Sequence, residues 1–251
     1  MQGVEPQSSF PPRDSTVIMP EPLLLIPGLN CTEEAFVPLL PQLWAHGSVM
    51  LVNHRRGGSM ADIARAVLAE APPRFALLGF SMGGYIAMEI LRQAPDRVTR
   101  ICFLSTTAAP DTAEQAENRR RMVQLAEGGR FDLVAGANFP NVVHPESLRN
   151  APLQAAHLRM ARLTGAEVYV DQQTAILDRP DSRSMLPGIT VPTAVIVGEA
   201  DQVTGVAGAE ELAANVPGAT LSIIPGAGHL LPLERPGAAS AAIVSWLTRR
   251  A

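Results

Sequence analysis

Ser81 sits in the run Gly79-Phe80-Ser81-Met82-Gly83, directly after the apolar stretch Phe75–Leu78 and at the head of a helix-period segment reaching about Gln93. A bare G-x-S-x-G is a weak signal. It becomes informative where strand, sharp turn and helix follow in that order, because the turn holds the serine in a strained conformation with its hydroxyl presented. Glycines at 79 and 83 let strand and helix approach without Cβ clashes. The helix start then aims free N–H groups at developing negative charge. The plain competitor is a glycine-rich helix start with an ordinary capping serine.

A serine hydroxyl needs a base to become a nucleophile. The histidines are His46, His54, His144, His157 and His229. Only His229, in Pro225-Gly226-Ala227-Gly228-His229, directly follows a C-terminal strand pattern. Loops at strand C-terminal ends share one sheet edge, so His229 and Ser81 can converge there. The other four read as ordinary surface or core residues. An orienting carboxylate completes the set, and Asp201 in Gly198-Glu199-Ala200-Asp201 also follows a strand pattern. Glu199 is its local competitor, and a solvated loop carboxylate or helix cap is the plain role of either.

The elements that must position these residues are legible as short apolar runs alternating with helix-period segments. Leu23–Ile26, Val49–Val52, Phe75–Leu78, Arg100–Leu104, Thr193–Val197 and Thr220–Ile224 read as strands, most of them apolar on both faces as in a covered parallel sheet. Thr32 with Glu33 and Glu34, and Ser59 with Asp62, read as helix starts. Helical faces follow at Met60-Ile63-Ala64-Val67-Leu68, Gly83-Ile86-Ala87-Ile90-Leu91, Ala209-Leu212-Ala213-Val216 and Ala239-Ala242-Ile243-Trp246-Leu247. Such alternation implies an α/β fold with a mainly parallel sheet. Between about Ala108 and Gly188 only helical patterns occur, one around Met122, Leu125 and Ala126 and another on Leu153, Ala156, Met160 and Leu163. That interval is too long for a simple crossover. It reads as a helical lid over the ligand crevice, against an ornamental insertion packed on the sheet. The organisation expected is an N-terminal arm at 1–22, core at 23–107, a helical cap at 108–188 and core again at 189–251.

Composition narrows the chemistry. The chain has 251 residues, 47% hydrophobic and 18% charged, with 20 basic and 24 acidic residues. A chain this long buries about 70% of its surface on folding, enough for one large core. The slight acidity argues against a nucleic-acid surface or a polybasic membrane anchor. All the basic residues are arginine. Without lysine there is no Schiff-base lysine, no covalent pyridoxal phosphate and no P-loop lysine. Cys31 and Cys102 have no metal-ligand spacing and read as buried small hydrophobes. No metal and no organic cofactor is expected. The proline-bearing arm of residues 1–22 lacks the pattern of a signal peptide, and no apolar stretch approaches a membrane span, so the expected location is the cytoplasm.

The segments Leu24-Leu25-Ile26-Pro27-Gly28-Leu29, Gly79-Phe80-Ser81-Met82-Gly83-Gly84, Val197-Gly198-Glu199-Ala200-Asp201 and Gly228-His229-Leu230, with the order Ser81…Asp201…His229, resemble the α/β-hydrolase superfamily. The likeness spans nearly all of 22–250 and is nearest to small bacterial serine esterases and C–C hydrolases with a helical cap. It implies an oxyanion hole built from the N–H of Met82, after the nucleophile, and of Leu29, after Pro27-Gly28; Asn30 is the alternative if the turn is offset by one. Many relatives carry His-Gly where this chain has Pro27-Gly28, a change the backbone role tolerates. Serine at 81 disfavours dehalogenase and epoxide-hydrolase chemistry, which use aspartate. Six core strands are expected instead of the usual eight, with at most a marginal extra strand around Val17–Met19.

The expected function is hydrolysis of carboxylic esters of small to medium acyl chain. Alternatives are a C–C hydrolase, lactonase or perhydrolase on the same residues, or a ligand-binding receptor that kept the fold. The expected partner is a small-molecule ester, with no nucleic acid or membrane and a homodimer left open. His54, Arg55 and Arg56 could clamp a substrate carboxylate, although solvated loop charges are the simpler account. Arg119, Arg120 and Arg121 with Glu114 and Glu117 suggest helix-surface ion pairs. Met82, Met122, Met160 and Met185 could line an acyl pocket, or be plain core.

Overall fold

The computed structural model describes residues 21–249. Six parallel strands form one sheet: β1 (Leu23–Ile26), β2 (Val49–Leu51), β3 (Phe75–Phe80), β4 (Val98–Leu104), β5 (Thr193–Gly198) and β6 (Thr220–Ile224), in the order β2-β1-β3-β4-β5-β6. The strand considered at Val17–Met19 lies outside the described residues. The helices are α1 (Leu40–Trp44), α2 (Met60–Glu70), α3 (Met82–Gln93), α4 (Ala113–Leu125), α5 (Phe131–Val142), α6 (Ala151–Thr164), α7 (Ala166–Leu177), α8 (Gly205–Asn215), α9 (Leu231–Glu234) and α10 (Pro236–Thr248). None of them is long and apolar enough to cross a membrane.

Successive strand residues point to opposite faces, and the core divides accordingly. Leu24, Ile26, Leu77, Phe103, Val195 and Val197 pack with α2, α3 and α8 on one face. Leu23, Leu25, Leu78, Leu104, Ala194 and Ile196 pack on the other with α10 and the segment from Ala35 to Leu43. Both-sided burial is complete for β1, β3 and β5. The edge strands differ: β2 is half-buried and β6 exposes Leu221 and Ile223. An edge strand has one neighbour and a partial cover of helices, so apolar composition there does not translate into burial.

Capping agrees with the sequence. The Ser59 hydroxyl accepts from Asp62 N–H and starts α2. Thr32 accepts from Glu34 N–H, but the segment it opens, Glu33–Leu39, is a 3₁₀ helix with Pro38 inside. Between β4 and β5 the chain forms helices and their connections with no strand, and α4 and α6 stand at the expected places. Along α6, Leu153, Ala156 and Met160 are buried, whereas Leu163 is exposed and Thr164 takes the inward position.

The Arg119–Arg121 reading needs correction. Arg119 makes no pair with Glu114 or Glu117. Its Nε donates to Asp111 Oδ2 at 2.6 Å and its Nη1 to Gln173 Oε1 at 2.8 Å, while Arg121 bonds Asn118. Asp111, just before α4, also accepts from Arg179, whose guanidinium lies 4.3 Å over the Tyr85 ring. Burial alone would raise the Asp111 carboxyl, but the two arginines hold it below the ordinary carboxylate range. The four methionines do not form one cluster: Met82 and Met185 pack on one face of the sheet, Met160 on the other, and Met122 in a third cluster, with Leu29 touching both the first and the third.

Candidate active site

The strand order reverses direction between β1 and β3, and in open parallel sheets ligands bind at the strand C-terminal edge where the following loops diverge. Ser81 stands there, between β3 and α3, with φ 53° and ψ −117°. Holding a non-glycine residue in this region costs about 1–3 kcal/mol. The surroundings over-determine it. Ser81 N–H donates to Leu104 C=O at 2.9 Å, and its own C=O accepts from Gly84 N–H and from the Thr106 hydroxyl, both at 2.8 Å. Gly79 and Gly83 are required by packing. A Cβ on Gly79 would lie 2.7 Å from Gly84 Cα, and one on Gly83 would lie 2.8 Å from the Pro27 carbonyl oxygen.

His229 Nε2 lies 2.9 Å from Ser81 Oγ, and His229 Nδ1 lies 2.9 Å from Asp201 Oδ2. All three are buried, and Ser81 is only 9% exposed. Asp201 Oδ1 accepts from the N–H groups of Val203 and Thr204, and Oδ2 accepts from the Thr204 hydroxyl at 2.8 Å. Burial pushes this carboxyl up, but His229 and the Thr204 hydrogen bonds outweigh it and leave the pKa well below the ordinary value. An ionised Asp201 is acceptor-only, so Nδ1 carries the imidazole proton and the Nε2 lone pair faces the serine hydroxyl.

The His229 loop is held from two sides. Ala227 C=O accepts from Ala200 N–H at 2.9 Å, and Leu230 N–H donates to Val142 C=O at the end of α5 at 2.8 Å. The buried Glu234 carboxylate bridges Gly228 N–H at 2.8 Å and His144 N–H at 2.7 Å. Glu199, the rival to Asp201, turns to Gly226 N–H at 3.2 Å instead of the imidazole.

On the β1 side, Gly28 is close enough that a Cβ there would lie 3.1 Å from Ser81 Cβ. Among the described residues the N–H groups of Leu29 and Met82 donate to no protein group. Asn30, the alternative, has φ 58° and its N–H is taken by Gln172 Oε1 at 3.0 Å. The carbonyl of the Gly28–Leu29 peptide accepts from His54 Nε2 at 2.9 Å. Burial holds the His54 imidazole down at about 4, with the Gly28 carbonyl opposing and Arg55 adding to the effect. It is therefore a neutral donor at pH 7. The three residues considered as a clamp are engaged with other groups. His54 is spent on the Gly28 carbonyl, Arg55 donates to Leu163 C=O on α6, and Arg56 pairs with Glu70 on α2.

The remaining histidines are engaged elsewhere: His157 bonds Ala135 C=O, and His144 accepts from Glu146 N–H. Burial raises the Cys31 thiol to about 12 and pushes Cys102 up as well, in keeping with inert small hydrophobes. Among the described residues no group of three His, Cys, Asp or Glu is placed to hold a metal ion. Sequence reasoning missed Gln172, Glu234, Thr106 and Thr204. Each acts through a long-range contact or a turn, for which a single polar residue in a helix or loop carries no local signal.

Comparison with known proteins agrees with the fold. Polyketide synthase ThaQ of Burkholderia thailandensis is 26% identical over 90% of this chain, which spans only 12% of that protein's length. A pimeloyl-[acyl-carrier protein] methyl ester esterase of Aliivibrio salmonicida is 26% identical, with 82% of this chain and 84% of the relative covered. Among solved structures, a malate-bound thermophilic esterase from Thermogutta terrifontis superposes with a TM-score of 0.82 at 27% identity, covering 92% of this chain and 90% of that one. The family model described as alpha/beta hydrolase matches residues 23–243, from the first strand into the last helix, and the chain therefore belongs to that family.

Proposed function

We propose that this hydrolase cleaves carboxylic esters of small to medium acyl chain through an acyl-enzyme on Ser81. The observation that carries the reading is the unbroken chain Ser81–His229–Asp201, two 2.9 Å contacts ending on an ionised carboxylate. His229 Nε2 takes the hydroxyl proton as Ser81 Oγ attacks the acyl carbon. Asp201 stabilises the imidazolium that forms. The uncommitted N–H groups of Leu29 and Met82 hold the tetrahedral oxyanion, each contributing on the order of 100-fold or more. Collapse expels the alcohol, which takes the proton from His229. Water then attacks the acyl-enzyme by the same steps in reverse, restoring Ser81. The names of two relatives, both esterases, support an ester substrate. Apolar side chains that could receive an acyl chain are offered by the cluster that joins Leu29 to Met122, Leu125, Phe131, Tyr169 and Val170. We read the helices of that cluster as the lid, joined to the site through Leu29 and the Asn30–Gln172 hydrogen bond.

The test is hydrolysis of p-nitrophenyl esters from acetate to decanoate by wild type and Ser81→Ala. Turnover peaking at a short or medium chain and vanishing in the variant is expected. Turnover that survives Ser81→Ala would overturn the reading. The C–C alternative would need a cationic clamp, and Arg55 and Arg56 are bonded to Leu163 C=O and to Glu70.

His54 gives a second expectation. It anchors the peptide whose N–H is the Leu29 oxyanion donor, so His54→Leu lowers kcat about tenfold with KM nearly unchanged, and His54→Gln, which can still donate, recovers part of the loss. The stability sign follows from its depressed pKa. Between the ordinary value of 6.5 and about 4 the unfolded chain binds the extra proton. Stability is therefore fully present above pH 6.5 and falls as pH drops toward 4. Thermal melts across that window are expected to fall more steeply for wild type than for His54→Gln.

A further inference from the structure

Gln172 lies on α7 and is 2% exposed. It follows Tyr169 by three positions, so the two share a helix face, and Tyr169 belongs to the apolar cluster that reaches Leu29. The Gln172 Oε1 atom accepts from Asn30 N–H at 3.0 Å. That bond fixes the orientation of the carboxamide, because a flipped amide would set two donors face to face. Nε2 is then a buried donor with no partner, next to the loop that carries the Leu29 N–H. Asn30 Oδ1, on the same loop, is also buried and unpartnered. Buried polar groups are nearly always satisfied, so an orphaned donor and acceptor at the loop that carries the Leu29 N–H mark a place for something that binds there.

The geometry points to a polar subsite at Gln172 that selects acyl groups bearing an uncharged acceptor oxygen, such as a keto, ether or hydroxyl group, over plain alkyl chains. This rests on the ester reading for its reaction but not for its binding. A carboxylate is disfavoured because the Gln172 donor is a neutral carboxamide, and a charge buried against it would lose hydration with no opposite charge on that donor. Arg119 is held by Asp111 and Gln173, Arg179 by Asp111, and Arg55 by Leu163 C=O. A site built to hydrogen-bond a substrate oxygen rejects the analogue lacking it strongly, since its own donor is then left unpaired.

The experiment compares p-nitrophenyl hexanoate with the 4-oxohexanoate, the 5-oxohexanoate and the monoester of hexanedioic acid, for wild type and Gln172→Met. Methionine keeps the length and volume of glutamine and removes the donor. At least one oxo ester is expected to exceed hexanoate tenfold or more in kcat/KM. That ratio is expected to collapse to near one in Gln172→Met, whatever the variant does to absolute rates. Ratios within twofold in wild type, a preference that persists in the variant, or a preference for the charged monoester would each overturn the proposal. A second readout needs no turnover: protection of Ser81 from a fluorophosphonate by heptan-2-one, heptane-2,5-dione or heptane-2,6-dione. Stronger protection by a dione, lost in Gln172→Met, supports the subsite even where no ester is cleaved, a result that would sink the ester reading alone. Equal protection by all three ketones overturns the subsite.

Discussion

Ser81→Ala and His229→Ala are each expected to lower kcat by about 10⁶-fold, and the double variant by no more than either alone. The two side chains share one proton path, Oγ to Nε2 at 2.9 Å, with no other described base bonded to the serine hydroxyl. Removing Ser81 deletes the atom that bonds to the acyl carbon. Removing His229 leaves a hydroxyl that cannot lose its proton at neutral pH. Either loss stops the same step, so the second adds nothing. On the proposed mechanism the residual rate over water comes from the Leu29 and Met82 N–H groups, which neither substitution touches. Steady-state kinetics of the two single variants and the double variant check this. An additive double variant would mean that the two residues act in separate steps.

Asp201→Asn is expected to cost about 10⁴-fold in kcat with little effect on KM. The Asp201 position dictates which way the asparagine amide turns. Oδ1 faces two backbone N–H donors, from Val203 and Thr204, so the amide oxygen must take that place. The NH₂ group then falls where Oδ2 stood and donates toward His229 Nδ1. The imidazole moves its proton to Nε2, which becomes a donor toward Ser81 and can no longer act as base. Activity near wild type in this variant would contradict the assigned tautomer.

Strand runs and helix starts were legible because their signals are local. Leu23–Ile26 and Thr220–Ile224 read as they stand in the fold, and Ser59 caps its helix as its spacing with Asp62 suggests. The meeting of Ser81, Asp201 and His229 was legible because parallel strands send their following loops to one edge. α5 was obscured by Gly136 and Pro140 within it, and α7 by an inward face that carries Gln172 and Gln173 in place of aliphatic residues. The same two glutamines tie α7 to the Asn30 loop and to Arg119, so the polarity that hid the helix also links it to the site. The inward role of His54 was not legible, because a run of His54, Arg55 and Arg56 reads most simply as solvated loop charges. Only the fold shows that one of the three turns inward to the Gly28 carbonyl.

The most direct measurement of the central claim is the mass of the enzyme during rapid mixing with a p-nitrophenyl ester, followed by digestion. The account predicts a p-nitrophenol burst stoichiometric with enzyme and an acyl group on Ser81, both absent in Ser81→Ala. Steady turnover with no burst and no adduct on Ser81 under conditions that trap acyl-enzymes would contradict it.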